Sequence, residues 1–443
     1  MNISLSEHFD YKKLLRFSMP TIAMLIFTSI YGVIDGLFVS NVVGSDAFAS
    51  VNLIMPFVMV LGSLGFMIGT GGGALVSKIL GEGDEKKANE VFSILTYFLI
   101  FMGVILTILG ILFTEPIAKA LGADEVTLSN CVIYGRVLLI SLIPFFLNNS
   151  FQSFFVVAEK PMIGLAISIV AGIVNIVFDF LFVYVWQMEV FGAAVATGLS
   201  QLIGGGLPLI YFYRKNPTKL RLGKAPFDGK ALWQSCINGS SEMLTNVSMS
   251  LVNMLYNLQL MKFVGADGVV AYGVIMYIFF IFTGMYNGYA IGTAPIISYH
   301  YGAQNTEELK SLYKKSLMLV GIGAIIMTLL AQLSSGMLAG IFVSYDPELV
   351  QMTTTAIQLF SLSYLLSGFN IFASSFFTAL NNGGVSACIS FLRTLVFQII
   401  TIFVLPIFFQ VYGIWLAVVA AEFLALFVSI ICFQRNRKKY AYA

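Results

Sequence analysis

Twelve apolar runs dominate the 443-residue sequence, at roughly 14–39, 50–78, 88–113, 128–157, 162–186, 190–213, 231–261, 269–300, 311–335, 351–380, 385–410 and 411–433. Each is long enough to cross a bilayer, whose hydrocarbon core of about 30 Å takes about 20 helical residues. Inside that core the backbone can satisfy its polar groups only within its own segment, so isolated apolar runs become helices. Composition agrees: 58% of residues are hydrophobic and 10% are charged, against about 25% charged in a soluble domain. This argues against a soluble enzyme and against a disordered scaffold. The first 16 residues are polar and the first apolar run is long enough to stay in the membrane, so no cleavable leader is expected.

The basic residues orient the spans. With the N-terminus inside, 20 of the 24 Lys and Arg fall on the cytoplasmic side, the outer loops receive Lys119 and Lys262, and Arg136 and Arg393 lie within spans. That bias follows the positive-inside rule. It predicts a multi-pass protein of the inner (cytoplasmic) membrane with both termini cytoplasmic.

The two halves of the chain resemble each other at an offset of 221. GSDAFASVNLIM (44–55) matches GADGVVAYGVIM (265–276), SKILGEGD (77–84) matches SYHYGAQN (298–305), and Phe191-Gly192-Ala193 matches Tyr412-Gly413-Ile414. The segment 214–230, with six basic residues, reads as a cytoplasmic linker between residues 1–213 and 231–443. Six spans per half make the repeat parallel. The expected fold is therefore all-α and integral to the membrane, with twelve transmembrane helices in two pseudo-symmetric six-helix bundles. Such repeats are typical of alternating-access transporters with a site at the midplane between them. A chain that carries its own pseudo-dimer is expected to work as a monomer.

Ionisable groups inside spans mark function by default, because burying them costs at least about 2.5–3.5 kcal/mol each. Asp35 and Asp179 lie in the outer half of spans 1 and 5. Asn175 is one turn before Asp179, and Tyr134 and Thr197 stand on polar faces of spans 4 and 6. Two enclosed carboxylates can hold a proton, and Asn, Thr and Tyr supply hydrogen bonds that switch with it. Asp35 and Asp179, with Asn175, are the candidate cation-coupling site, with a structural stapling role as the bland alternative. At the repeat offset Asp35 falls on Tyr256 and Asp179 on Ile400, so the second half lacks the pair. Glu242, Arg393 and Glu422 form a candidate buried charge network there, which could equally be structural. Candidate substrate-binding residues are Tyr31, Thr28, Gln152, Gln201, Glu242, Met55 and Met276, the methionines because they adapt to irregular ligands.

Other chemistries find little support. Cys131, Cys236, Cys388 and Cys432 are dispersed without a CxxC, so neither a disulfide framework nor a thiolate metal site is expected. Gly71-Gly72-Gly73 lacks the phosphate-loop lysine, and no ATPase motif is present. Energy must then come from an ion gradient, H⁺ or Na⁺, with no other cofactor. No catalytic residues are expected, although Asp35 and Asp179 could mimic a paired-carboxylate enzyme. Expected partners are small organic cations or amphiphiles and the lipid bilayer, not nucleic acid.

The same residues resemble a known family. YGVIDGLFVSNVVG around Asp35, NIVFD with Asn175 and Asp179, Tyr134 and Thr197 at matching depth, VSKILGEGD and ISYHYGAQN are similar to motifs of the multidrug and toxic compound extrusion (MATE) transporters, nearest the DinF-type and multidrug-efflux-pump-A-like branches. The resemblance spans all twelve runs. It implies two bundles in a V and export of organic cations by proton or sodium antiport. It also implies that Tyr134 and Thr197 join Asp35, Asp179 and Asn175 in the cation-coupling site, and a cation- or drug-binding role for a span-7 glutamate, to which Glu242 is similar. The wider superfamily includes lipid-linked oligosaccharide flippases, and flipping of an amphiphilic or lipid-linked substrate is the alternative function.

Overall fold

The computed structural model describes residues 3–38 and 42–443, so positions 39–41 of the motif around Asp35 lie outside the described residues. The first half contains α1 (Tyr11–Phe38), α2 (Ser45–Gly81), α3 (Glu85–Ala120), α4 (Glu125–Ile140 and Leu142–Val157), α5 (Pro161–Asp179, extended by a π turn over Phe180–Val185) and α6 (Glu189–Tyr213). The second half contains α7 (Gly229–Phe263), α8 (Ala266–Gly302), α9 (Thr306–Val343) and α10 (Pro347–Ser361 and Tyr364–Ala379). It ends with α11 (383–409, with a π turn over Leu392–Val396) and α12 (411–440). By length and apolarity alone, eight uninterrupted helices qualify as spans, and two bent pairs bring the number to ten. The remaining two come from the break at Gln410, whose φ of 50° divides α11 from α12, and from α7. α7 is long enough to span but carries Asn238, Glu242, Asn246 and Asn253, which a soluble-facing average would not single out. Each of the twelve apolar runs thus lies on its own helix.

The sequence repeat is also a repeat of backbone conformation. Positive φ recurs at offset 221 in Gly44 and Gly265, Gly83 and Gln304, and Glu189 and Gln410. Asp84 and Asn305, again 221 apart, cap α3 and α9 by accepting from the backbone N–H three residues on.

The halves meet on the side of the chain termini, α1 against α8 and α2 against both α7 and α8, and the α2–α8 contact is two-fold. Ser77 Oγ donates to the Pro295 carbonyl at 2.9 Å, and Ser298 Oγ donates to the Ala74 carbonyl at 2.8 Å. The four positions are two pairs at offset 221, so each hydrogen bond is the symmetry mate of the other. Close approach is possible because Gly81 and Gly302, also repeat mates, face each other's backbone. A Cβ on Gly81 would fall 2.1 Å from the Tyr299 oxygen, and one on Gly302 2.1 Å from the Lys78 oxygen. Small residues at such seams let membrane helices pack backbone to backbone. The N-terminal segment adds a second tie on this side: Leu5 N–H donates to Glu159 of the first half, and Phe9 N–H to Glu308 of the second.

On the far side the halves part. Val51, Ile54, Tyr134 and Val190 belong to a core made only of the first half, and Tyr256, Ile275, Ile402 and Trp415 to one made only of the second. α1 leans on α8 as far as Ser29, whose hydroxyl reaches the Phe280 carbonyl. The result is a V closed at the terminus side, with a cavity between its arms.

If the glycine seam closes the V, Gly302→Ala should lower the melting temperature of the detergent-solubilised protein, since overpacking costs about 1–3 kcal/mol. Gly336→Ala, where a Cβ meets nothing within 4 Å, should leave it unchanged or raise it. Equal melting of the two variants would contradict the seam.

Candidate functional site

Five polar side chains from four helices converge within the first half. α1 brings Asp35, α4 Tyr134, α5 Asn175 and Asp179, and α6 Thr197. Residues four apart on α5 share a face, and that face begins with Gly172, against which Phe27 and Tyr31 of α1 pack. Directly after Asp179 the helix widens into its π turn, a distortion common at functional sites. Asp179 and Tyr134 are wholly enclosed, Asn175 nearly so, and Asp35 is half-buried.

These side chains adjoin one another. Asp35 lies beside Asp179 and Asn175, and Tyr134 beside both carboxylates and Thr197. Yet Oδ1 of Asp35, both carboxylate oxygens of Asp179, Nδ2 of Asn175, the Tyr134 hydroxyl and Oγ1 of Thr197 are all buried without a hydrogen-bond partner. Each such orphan costs about 1–3 kcal/mol, more if charged. Buried polar groups in native proteins are otherwise satisfied. A cluster of this kind, rich in oxygen donors and holding two carboxylates, can bind a proton or a small hard cation.

The second half holds its polar groups differently. Arg393 sits on the π turn of α11, and its Nε donates to both Glu422 carboxylate oxygens, at 2.8 and 3.0 Å. Asn370 Nδ2 donates to Glu422 Oε2 at 2.7 Å, and its Oδ1 accepts from Ser429 Oγ at 2.8 Å. Glu242 stands apart from this pair: among the described residues its carboxylate has neither an ion-pair nor a hydrogen-bond partner. Tyr256, which occupies the repeat position of Asp35, donates to Gln398 of α11 at 3.1 Å. Ile400, the repeat mate of Asp179, is exposed on the outside of the bundle.

The cavity between the arms has a volume of about 310 Å³. α7, α8, α10, α11 and α12 form most of its wall, with Glu242, Arg393 and Glu422 on it, and α1 and α2 close the remainder. Tyr256 and Tyr272 stack on that wall, ring centres 4.8 Å apart and 9° from parallel.

Of the substrate-binding candidates, Thr28, Glu242 and Met276 line this cavity. Tyr31 packs beside Asp35 and Gly172. Gln201 accepts from Asn148 at 2.8 Å, and Gln152 is buried in α4. Met55 packs into the far-side core of the first half, beside Tyr134 rather than on the cavity. Asn370 and Ser429 are not among the sequence candidates, and Tyr256 stands there only as the counterpart of Asp35. A lone Asn or Ser in a span carries no signal until its partner is known. The run of Asn246, Asn253 and Tyr256 along α7, at helical spacing, was visible in the sequence.

Comparison with known proteins bears on the whole chain. The MatE family profile matches residues 20–181 and again 243–404, once in each half. "Multidrug export protein MepA" of Staphylococcus haemolyticus (strain JCSC1435) is 27% identical over 435 residues, covering 96% of this chain and 94% of that protein. Its namesake in Staphylococcus aureus (strain MRSA252) is 24% identical over 428 residues, covering 96% and 93%. Among solved structures, a MATE in complex with MaL6 superposes with a TM-score of 0.93 at 21% identity, covering 98% of each chain. An outward-facing multidrug resistance MATE family transporter of the MOP superfamily gives 0.92, also at 21% identity and 98% of each chain.

Removing one member of the Arg393–Glu422 pair leaves the other charge uncompensated, which costs about 3–5 kcal/mol. Arg393→Ala should therefore lower the melting temperature sharply, and the double variant Arg393→Ala with Glu422→Gln should recover most of it. A double variant no more stable than Arg393→Ala would show that the ion pair is not what holds α11 to α12.

Proposed function

The chain belongs to the MatE family, and on that premise we propose that it is a multidrug exporter driven by antiport of H⁺ or Na⁺, carrying organic cations or amphiphiles out of the cell by alternating access. The observation that carries this reading is the cluster of unpartnered polar atoms around Asp35 and Asp179. The names of the MepA relatives support the substrate class. The placement of 20 of the 24 basic residues supports a cytoplasmic terminus side, so the arms of the V open outward.

The mechanism follows from what each half holds. With the V open outward, Asp35 is half-buried and Asp179 enclosed behind it. An entering H⁺ or Na⁺ cancels one of the two negative charges and supplies the partner that the surrounding Asn, Tyr and Thr lack. With the repulsion between the carboxylates removed, the site needs less hydration, so α1, α5 and α6 can tighten around it. That movement narrows the cavity and expels the drug. When the V reopens toward the cytoplasm the cation leaves inward, and the recharged carboxylates favour the drug-accepting shape again. Since α1 borders both the cluster and the cavity, through Asp35 and through Thr28 and Ser29, it is the element that couples them.

Asp35→Asn and Asp179→Asn should each fold, being nearly isosteric, and each should reduce gradient-driven dye efflux at least about tenfold, the scale of losing one buried charge interaction of 1.4 kcal/mol or more. Efflux from everted or intact cells at matched expression, with and without an uncoupler, checks this. Wild-type efflux in both variants would move the coupling site elsewhere, to Glu242 first.

A further inference from the structure

The cavity wall carries a free anionic edge and a free cationic edge, and we propose that it selects compounds bearing both charges: an aromatic cation that also carries a carboxylate, with the carboxylate held by Arg393. This rests on the reading of the cavity as the substrate site and adds the chemistry that the site prefers.

The cationic edge is a leftover of the Arg393–Glu422 pair. Arg393 is only 9% exposed, and just its Nε is engaged, shared between the two Glu422 oxygens at 2.8 and 3.0 Å. A guanidinium has five N–H donors in a planar fork. The four on the terminal nitrogens donate to nothing among the described residues, and these nitrogens are not among the atoms sealed from access. They are therefore reached from the cavity that Arg393 lines. A lysine would neutralise Glu422 as well; what arginine adds is a second, outward pair of parallel N–H groups, matched in spacing to a carboxylate. Asn370 and Ser429 complete the inner side of the pair and leave Arg393 turned outward.

The anionic edge is Glu242 on α7, within reach of the Arg393 charge but not paired with it. The Tyr256–Tyr272 stack, Phe279 and Met276 line the same cavity. A flat aromatic body fits that wall, with its cationic group toward Glu242, where ring faces add cation–π attraction, and its carboxylate on the Arg393 fork. A simple cation uses one edge, and such a zwitterion uses both.

A rhodamine free acid and its methyl ester form a matched pair, alike in the aromatic cation and differing only in the carboxylate. Binding of each to purified protein is read by fluorescence polarisation. The wild type should bind the acid at least as tightly as the ester. Arg393→Lys, which retains a positive charge opposite Glu422, should weaken the acid at least about tenfold and the ester less than about twofold. Glu242→Gln should weaken both dyes. Equal weakening of acid and ester by Arg393→Lys, or no weakening of either, overturns the proposal. Because Arg393→Lys could fail to fold, the wild type supplies an independent reading: a preference for the ester of more than about tenfold also overturns it. A wild type that exports drug but binds neither dye refutes this selectivity and leaves the export reading standing. Tight binding of the ester with no export would refute the export reading instead.

Discussion

Ser77 and Ser298 each hold the other half of the molecule by a backbone carbonyl, at the centre of the close packing of α1 and α2 on α7 and α8 from which the two arms of the V diverge. Two hydroxyl–carbonyl bonds contribute only about 1 kcal/mol each, and the Gly81 and Gly302 surfaces that slide together around them bury little side chain. A seam of this sort closes the terminus side firmly enough to hold the arms apart on the other side. It is also weak enough to part without unfolding either bundle, since serine hydroxyls and carbonyls accept water in place of each other. The apolar core that α1 shares with the second half, Phe17 and Ile22 together with Ile296 and Ile297, adds to the cost of opening, while the far-side cores of the two arms each stay intact.

Duplication gives the two arms the same frame and lets their interiors diverge. Tyr256 takes the place of Asp35 and satisfies Gln398, Ile400 takes the place of Asp179 outside the bundle, and the second arm's remaining charge is spent in the Arg393–Glu422 pair. The first arm keeps its carboxylates unpaired beside Asn175, Tyr134 and Thr197. In the proposed function one arm responds to an ion, while the other forms most of the cavity wall. Glu242 is the exception, a carboxylate of the second arm left free where a ligand would lie.

Much of this was legible in the sequence because membrane burial writes it in coarse letters. Span number, the parallel repeat and the placing of Asp35, Asn175 and Asp179 at one depth follow from apolar length, the 221-residue offset and helical spacing, and the family resemblance adds Tyr134 and Thr197. What stayed hidden depends on rotation and partnership. Glu242, Arg393 and Glu422 line one cavity, as their similar depth suggests, but depth does not fix azimuth: Arg393 turns its Nε to Glu422 and makes no direct bond to Glu242. Met55 looked like a cavity residue from its type, and its helix face points into the first arm's own core. The π turns after Asp179 and at Arg393 shift the register of everything beyond them, and no residue pattern announces them.

The central claim is that the cation and the drug oppose each other through Asp35 and Asp179. Such opposition must be reciprocal, so raising the ion must weaken drug binding by the factor by which the drug weakens ion binding. The decisive measurement is drug affinity of the purified protein across a range of pH and of Na⁺ concentration, for the wild type and for the double variant Asp35→Asn with Asp179→Asn. The wild type should lose affinity as one of the two ions rises, and the double variant should bind with a single affinity throughout. A wild type indifferent to both ions, or a double variant with the wild-type dependence, would contradict the account.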